Sequence, residues 1–367
     1  MKDVEILVIG AGPAGLCAAK AAAGLGAQVL VCERDELPGG QLVKQTHKFF
    51  GSEKQHAGDR GYLIGQELVE EVTNNPNITL WTDTTVLGAY EDGIITCLHD
   101  EQHVKIRPQK TIIATGASEK FLMFPGNDLP GIYGAGAVQT LMNVAGVKPA
   151  ERVVMVGAGN IGLIVSYQLL QAGVQVAAVV EAAPNIGGYL VHASKLRRAG
   201  VPIRTSYTVK EAFGKDTLEG VVIQALDEKW QPIAGTEETI ECDTLCLAVG
   251  LTPLTEIAWQ AGCDMAFIRE LSGHVPILND NLETTVPGIY VAGDADGIEE
   301  ASAAMVEGRL AGCAAAGALG HDPEEAAKQV EAARADLDEL RSGPTGGKIR
   351  AGIKKMHETK EAMNNAQ

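Results

Sequence analysis

A short apolar run, Val4, Ile6, Val8 and Ile9, breaks directly into Gly10-Ala11-Gly12-Pro13-Ala14-Gly15, and this juncture constrains the fold more than any other stretch. Gly10 permits a tight turn from strand into helix, Gly12 lets a pyrophosphate approach the backbone, and Gly15 lets helix and strand pack closely. The pyrophosphate then sits on the positive end of the helix. A second strand through Val29, Leu30 and Val31 ends on Glu33, 18 residues past Gly15, where an acid can accept hydrogen bonds from a ribose; Arg34 follows it. In a chain with 43 glycines a lone match would carry little, but here strand, helix, second strand and acid arrive in order. The dinucleotide-site residues expected from this stretch are Gly10, Gly12, Pro13, Ala14, Gly15, Glu33 and Arg34.

Further along, Leu37-Pro38-Gly39-Gly40-Gln41-Leu42 reads as a turn and Lys44 to Gly51 as a polar loop. Tyr62 to Thr73 reads as a helix, and Ile78 to Ala89 with Ile94 to Leu98 as short strands. Ile106 to Gly116 is an apolar strand that stops on Ala114-Thr115-Gly116, and Phe124 to Gly136 is a linker rich in Pro and Gly. The chain then repeats itself. Val153 to Val156 is a strand, Gly157-Ala158-Gly159-Asn160-Ile161-Gly162 a second glycine turn, Leu163 to Ala172 a helix, and Val174 to Val180 a strand ending on Glu181. Two such turns, 147 residues apart and each with its own acid, imply two bound nucleotides. The second set is Gly157, Gly159, Asn160, Ile161, Gly162 and Glu181. Thr239 to Gly250 repeats the strand-then-small-residue ending.

From about Leu251 the chain leads through Ala292-Gly293-Asp294 to a small-residue helix, Glu300 to Leu319. Glu324 to Leu340 reads as an exposed helix, Arg341 to Gly347 as a breaker, and the end is basic. This tail is either a docking or oligomer element or a solvated surface helix.

At 367 residues the chain should split into about two domains. A net charge of −17 argues against a nucleic-acid partner and an anionic membrane surface. No apolar run reaches spanning length without Gly or a charge, and the first strand starts at once, so a cytoplasmic protein is expected. Seven cysteines without a repeated spacing do not form a disulfide framework. Cys17, Cys32 and Cys313 read as small buried residues, and Cys242 and Cys246, four apart on an expected strand, cannot readily bridge. No cluster has metal-ligand spacing, so no metal is expected.

Together the first glycine turn, Gly39-Gly40-Gln41-Leu42, Ala114-Thr115-Gly116, the second glycine turn and Ala292-Gly293-Asp294 resemble the thioredoxin-reductase-like branch of the two-dinucleotide-domain FAD/NAD(P) oxidoreductases. The resemblance implies an α/β fold of two Rossmann-like, three-layer ββα domains with a C-terminal helical tail. It places an FAD domain at residues 1–119 and 251–321, an inserted NAD(H) domain at 120–250, and the tail at 322–367. It adds Gly40, Gln41, Leu42, Ala114, Thr115, Gly116 and Gly293 to the FAD site. Asp294 would bond the ribityl chain, and the helix starting near Ala301 and Ser302 would aim its amides at the flavin pyrimidine edge. Thioredoxin reductases carry a redox-active C-x-x-C just before the second glycine turn, but Gly134 to Asn143 here contains no cysteine, so a dithiol relay has no residues to run on. Gly187-Gly188-Tyr189-Leu190-Val191-His192, Ser194-Lys195-Leu196-Arg197-Arg198 and Glu299-Glu300-Ala301-Ser302 further resemble the FAD subunits of heteromeric amine and amino-acid dehydrogenases, of the opine oxidase and hydrogen cyanide synthase type.

Three functions follow as expectations. In the first, the chain exchanges a hydride between NAD(H) and FAD as a subunit of an amino-acid or amine dehydrogenase, working with a second flavoprotein subunit, a small iron-sulfur subunit, or both. In the second it acts alone on a small acceptor such as a quinone. In the third it is a scaffold whose nicotinamide site is vestigial. An oligomer is expected in any case. His47, on the loop that the resemblance runs past the flavin, is the candidate proton-transfer residue or else a solvated loop histidine. His192 reads as a packing or nucleotide-side residue. The strand ending Glu181-Ala182-Ala183-Pro184-Asn185 offers an acid and no base, which favours NADH over NADPH. Arg197 and Arg198 complicate that expectation, because their helix could bring a guanidinium to the ribose.

Overall fold

Alternation along the first strand sets the layering of the first unit. In the computed structural model, which describes residues 1–49, 53–343 and 346–366, the apolar run lies in the strand Lys2–Ile9. Side chains of a strand alternate between faces. Ile6 and Val8 enter one core with Leu16 and Ala19 of helix Pro13–Gly24, while Leu7 and Ile9 enter another on the opposite face. Because both faces are covered there, the buried half of the strand, Ile6 to Ile9, is apolar without interruption, as parallel strands of α/β sheets are. The chain divides into two units, Met1–Ser118 with Thr252–Gln367, and Glu119–Leu251.

The first unit holds a seven-stranded sheet in the order Ile78–Trp81, Val29–Cys32, Lys2–Ile9, Gln102–Ile113, Ile95–His99, Thr85–Ala89, with Ile289–Val291 also paired to Gln102–Ile113. Lys2–Ile9 pairs in parallel with both its neighbours, while the Thr85, Ile95 and Gln102 strands are antiparallel. The expected run Ile78 to Ala89 is therefore two strands, at opposite ends of that order. Asp83, at φ 47, makes the break. The expected turn Leu37 to Leu42 leads into a 3-10 helix, Gly40–Lys44, and the loop expected over Lys44 to Gly51 runs out of the described residues at position 50.

Helix Ala301–Ala318 crosses helix Pro13–Gly24 at close range, which explains its small residues. A Cβ at Gly308 would lie 2.0 Å from the Ala14 carbonyl oxygen, and one at Gly312 would lie 2.3 Å from that of Ala18. The tail is more than one exposed helix. Pro323–Arg341 buries Ala326, Ala333 and Leu337, and a second helix, Gly347–Ala366, buries Ile349 and Met356 in the first unit's core. The expected breaker between them lies partly outside the described residues, at positions 344 and 345.

The second unit repeats the plan. A parallel sheet runs Ile203–Thr205, Gln175–Glu181, Arg152–Val156, Thr244–Leu247, Ile132–Gly134. Val153 and Met155 face helices, whereas Val154 and Val156 face an antiparallel sheet of Tyr207–Phe213, Gly220–Ala225 and Glu238–Glu241. Both units are thus Rossmann-like three-layer structures. Two expectations are corrected. Thr239 to Gly250 is not one strand: the Asp243 carboxylate accepts the Glu151 and Arg152 amides at 2.8 and 3.1 Å, turning the chain from the antiparallel sheet into the parallel one. Cys242 lies at that turn and Cys246 on the strand after it; all seven cysteines are free. The expected linker Phe124 to Gly136 is built into the unit, with Phe124 buried and Ile132–Gly134 an edge strand. Among the described residues no helix is long and apolar enough to cross a membrane, and no group of three or more His, Cys, Asp or Glu could hold a metal ion.

Candidate dinucleotide sites

The first turn requires its glycines for different reasons. Gly10 has φ +101 and a Cβ there would sit 2.4 Å from the Ala114 carbonyl oxygen; at Gly15 it would sit 1.8 Å from that of Gly10. Gly12 has an ordinary φ of −76 and a Cβ would meet only the Gly40 Cα, at 3.9 Å, so the folded chain itself does not demand glycine there. Gly12 caps helix Pro13–Gly24 without a side-chain bond, leaving the first-turn amides for an external acceptor. Gly40, at φ +53, is held so close that a Cβ would be 2.7 Å from the Gly12 Cα. Gly293, at φ +75, approaches from the other side, with its Cβ position 2.8 Å from that of Ala14.

The structure thus brings Gly10, Gly12, Pro13, Ala14, Gly15, Gly40, Ala114 and Gly293 around one helix end. Glu33, 7% exposed, turns back on them: one carboxylate oxygen accepts the Ala11 amide at 2.6 Å and the other the Asp35 amide at 2.9 Å. Each oxygen retains a lone pair for a ribose hydroxyl. Thr115 donates to the Leu254 carbonyl at 2.6 Å, and Gly116, at φ +73, faces open space.

Asp294 follows Gly293 in a short 3-10 turn. Burial, with the Glu299 carboxylate adding to it, pushes its carboxyl up to about 6, against the pull of the Glu299 amide donating at 3.3 Å. Ser302 is buried and Ala301 half-buried at the start of their helix, which again lacks a side-chain cap. Other expected members lie apart. Leu42 is fully buried in the core, with its amide donating to Gly39 at 3.1 Å; Gln41 is exposed; and Arg34 makes an exposed pair with Asp35 at 3.3 Å. His47 is half-buried, stacked on Phe49 with ring centroids 6.3 Å apart.

The second turn copies the first. Gly157 has φ +103 and a Cβ position 2.2 Å from the Ala248 carbonyl oxygen; that of Gly162 is 2.1 Å from Gly157. Glu181 accepts the Ala158 amide at 2.7 Å and the Ala183 amide at 2.9 Å, as Glu33 does with Ala11 and Asp35. The copy extends to a feature that sequence reasoning missed. Gly39-Gly40 and Gly187-Gly188 lie equally far past their acids, and Gly39 donates to Ala11 at 2.8 Å just as Gly187 and Gly188 donate to Ala158 at 3.1 and 2.9 Å. Asn160 accepts the Tyr189 amide at 2.9 Å, and Ile161 is exposed beside it. Arg197 and Arg198 are exposed at the far end of helix Leu190–Arg198, about 12 Å along the axis from Leu190. His192 is buried, and burial with nearby Lys195 lowers its pKa.

Sequence reasoning also missed two clusters. Glu119 places its carboxylate on the start of helix Ala135–Asn143, accepting the Gly136 and Ala137 amides at 2.7 and 3.2 Å. Arg341 pairs with Glu299 and Glu307, both buried or nearly so. The signal for the glycine pairs was their equal spacing; for the ion cluster there was none local.

Two helix ends, each presenting uncapped amides, a clearance kept open by glycine and an acid folded back on the turn, define a protein with two dinucleotide-binding units. The family model for pyridine nucleotide-disulphide oxidoreductases matches residues 4–308, and the chain belongs to that family. The chain is 31% identical over 329 residues to an opine oxidase subunit of Agrobacterium tumefaciens, covering 85% of this chain and 65% of that one. It is 30% identical over 319 residues to the alpha subunit of sarcosine oxidase from Rhizobium meliloti, covering 83% and 29%. It therefore spans less than two thirds of the length of these relatives. The fold matches thioredoxin reductase from T. acidophilum with a TM-score of 0.71 at 20% identity, over 87% of this chain and 99% of that one. The matched family binds FAD and pyridine nucleotides, and the chain is related in sequence to subunits of opine and sarcosine oxidases. The cradle around Gly12, Gly40 and Gly293, which added side chains would fill or disrupt, fits such a dinucleotide.

Proposed function

We propose that the chain exchanges a hydride between NAD(H) and FAD, as the NADH-reactive subunit of a heteromeric amino-acid or amine dehydrogenase. The observation that carries this reading is the duplication: Glu181 and Gly187-Gly188 are tied to the second glycine turn as Glu33 and Gly39-Gly40 are to the first. When bound, FAD supplies an acceptor for two electrons as a hydride. The amides of Ala14 and Gly15 hold its pyrophosphate, Glu33 its ribose and Asp294 its polyol chain, with Gly40 and Gly293 closing on the same helix end. In the second unit Gly159, Asn160 and Ile161 line the pyrophosphate position and Glu181 takes the adenosine ribose of NADH. His47 is the side chain proposed to move a proton beside the flavin.

No dithiol takes part. The helix that follows Gly134 receives the Glu119 carboxylate at its start, and Cys246 on the neighbouring strand is a buried thiol whose pKa burial drives up. Partner subunits are proposed because the opine and sarcosine oxidase relatives are themselves subunits. The test is the purified single chain supplied with an artificial electron-accepting dye. NADH should drive dye reduction while amino acids and secondary amines do not. Amino-acid-dependent reduction by the single chain would place substrate oxidation here and overturn the proposed division of labour between subunits.

A further inference from the structure

The Gly293-Asp294 turn is held from behind by an ion cluster whose arginine comes from the C-terminal helix Pro323–Arg341. The Arg341 side chain is 12% exposed. Its guanidinium bonds Glu299 through Nη2 at 2.7 Å and through Nε at 3.1 and 3.2 Å, and Nη2 also bonds Oε1 of Glu307. Glu307, with a side chain 4% exposed, uses its other oxygen to accept the Gly293 amide at 2.9 Å. Glu299 donates its own amide to Asp294 at 3.3 Å. One guanidinium therefore reaches both residues of the turn by two routes, through Glu307 to Gly293 and through Glu299 to Asp294.

We propose that Arg341 is a positioning residue for the flavin site: it holds the Glu307 and Glu299 side chains in place, and so fixes the Gly293-Asp294 turn against the helix end that holds the pyrophosphate. Four carboxylates, Asp294, Asp296, Glu299 and Glu307, meet in this region, and Arg341 is the cation acting on Asp296 and Glu307. Removing one partner of a buried pair leaves an uncompensated charge and costs more than removing both. Without Arg341, the Glu307 carboxylate loses the cation that offsets its burial and the partner that aims it at the Gly293 amide. The turn passes close to the first helix, where even a Cβ on Gly293 would lie 2.8 Å from that of Ala14. The inference rests on FAD occupying the first unit. A wild-type chain that retains no FAD would defeat that assignment, whereas the variants bear on Arg341 alone.

The experiment measures the FAD dissociation constant by flavin fluorescence, and the rise in melting temperature that FAD confers, for four variants of the full chain. Arg341→Met should weaken FAD at least tenfold and shrink the FAD-dependent rise, because ligand stabilisation follows the dissociation constant. Arg341→Lys should recover most of the affinity. Arg341→Met combined with Glu307→Gln should bind FAD more tightly than Arg341→Met alone. Leu337→Ala, which opens the buried side of the same helix, should lower the melting temperature with and without FAD equally and leave the dissociation constant within twofold of wild type. Should Arg341→Met fail to fold, the lysine and double variants still report on the charge. The proposal is overturned if Arg341→Met binds FAD within twofold of wild type, or if Leu337→Ala weakens it as much.

Discussion

Gly159→Ala separates a glycine kept for the fold from one kept for a ligand. Gly159 has φ −73 and ψ 179, open to any residue, and a Cβ there would meet nothing within 4 Å. The substitution should stabilise the protein by about 0.4 to 1 kcal/mol through the unfolded chain's lost freedom. For a unit of this size that raises the melting temperature by about 1 to 4 °C. The same methyl occupies the approach to the uncapped amides of helix Asn160–Gln171. Displacing a phosphate from one charge-assisted bond costs about 1.5 to 3 kcal/mol, or about ten- to hundredfold in affinity. Titration calorimetry with ADP-ribose, which carries the pyrophosphate without the reactive ring, measures that loss directly. Gly162→Ala is the contrast: its Cβ would lie 2.1 Å from the Gly157 carbonyl oxygen, so it should damage folding itself. A Gly159→Ala protein that melts no lower than wild type and binds ADP-ribose within twofold of it would refute the assignment of this turn to a nucleotide.

Three further outcomes are expected. Wild type should show a lower Michaelis constant for NADH than for NADPH, because a phosphate beside Glu181 meets a like charge costing about 1 to 4 kcal/mol, about fivefold to several-hundredfold; Glu181→Gln should narrow the gap, and equal use of both coenzymes by wild type would remove Glu181 from the cofactor residues. Reduction of thioredoxin or a model disulfide should stay below about 1 per second, and faster turnover persisting in Cys242→Ser, Cys246→Ser and Cys263→Ser would contradict the reading of the Glu119-capped helix. Burial raises Glu307 to about 7 and Asp294 to about 6, so the folded apo-protein binds these protons more tightly than the unfolded chain. Their stabilising contribution is complete below about pH 4 and lost as pH rises through 6 to 7; the apo melting temperature should fall across that window, more gently in Glu307→Gln, and a steeper fall in that variant would contradict it.

The glycine turns were legible in the sequence because each position answers to a local backbone demand, a positive φ or a contact that a Cβ would violate. The acids were legible as positions, but not the hydrogen bond each makes to its turn, which takes an amide 22 or 23 residues back. Strand ends at Asp83 and Asp243 were hidden in apolar runs that read as continuous. In the tail, Ala326, Ala333 and Leu337 already carry helical spacing, yet the surrounding charge masked it. Arg341 and its partners stand 34 and 42 residues apart, beyond the reach of any local period. A separation of 17 residues likewise kept Glu119 from being connected with Gly136 in the first turn of helix Ala135–Asn143.

The central claim, that a flavin in the first unit takes its hydride from a nicotinamide nucleotide held by the second, is tested most directly by anaerobic titration of the FAD-loaded chain with NADH while the flavin absorption band is followed. The account predicts stoichiometric bleaching in wild type, and bleaching that needs about ten- to hundredfold more NADH in Gly159→Ala. A flavin band left unchanged by excess NADH in wild type would contradict it and leave the second turn a nucleotide site without redox chemistry.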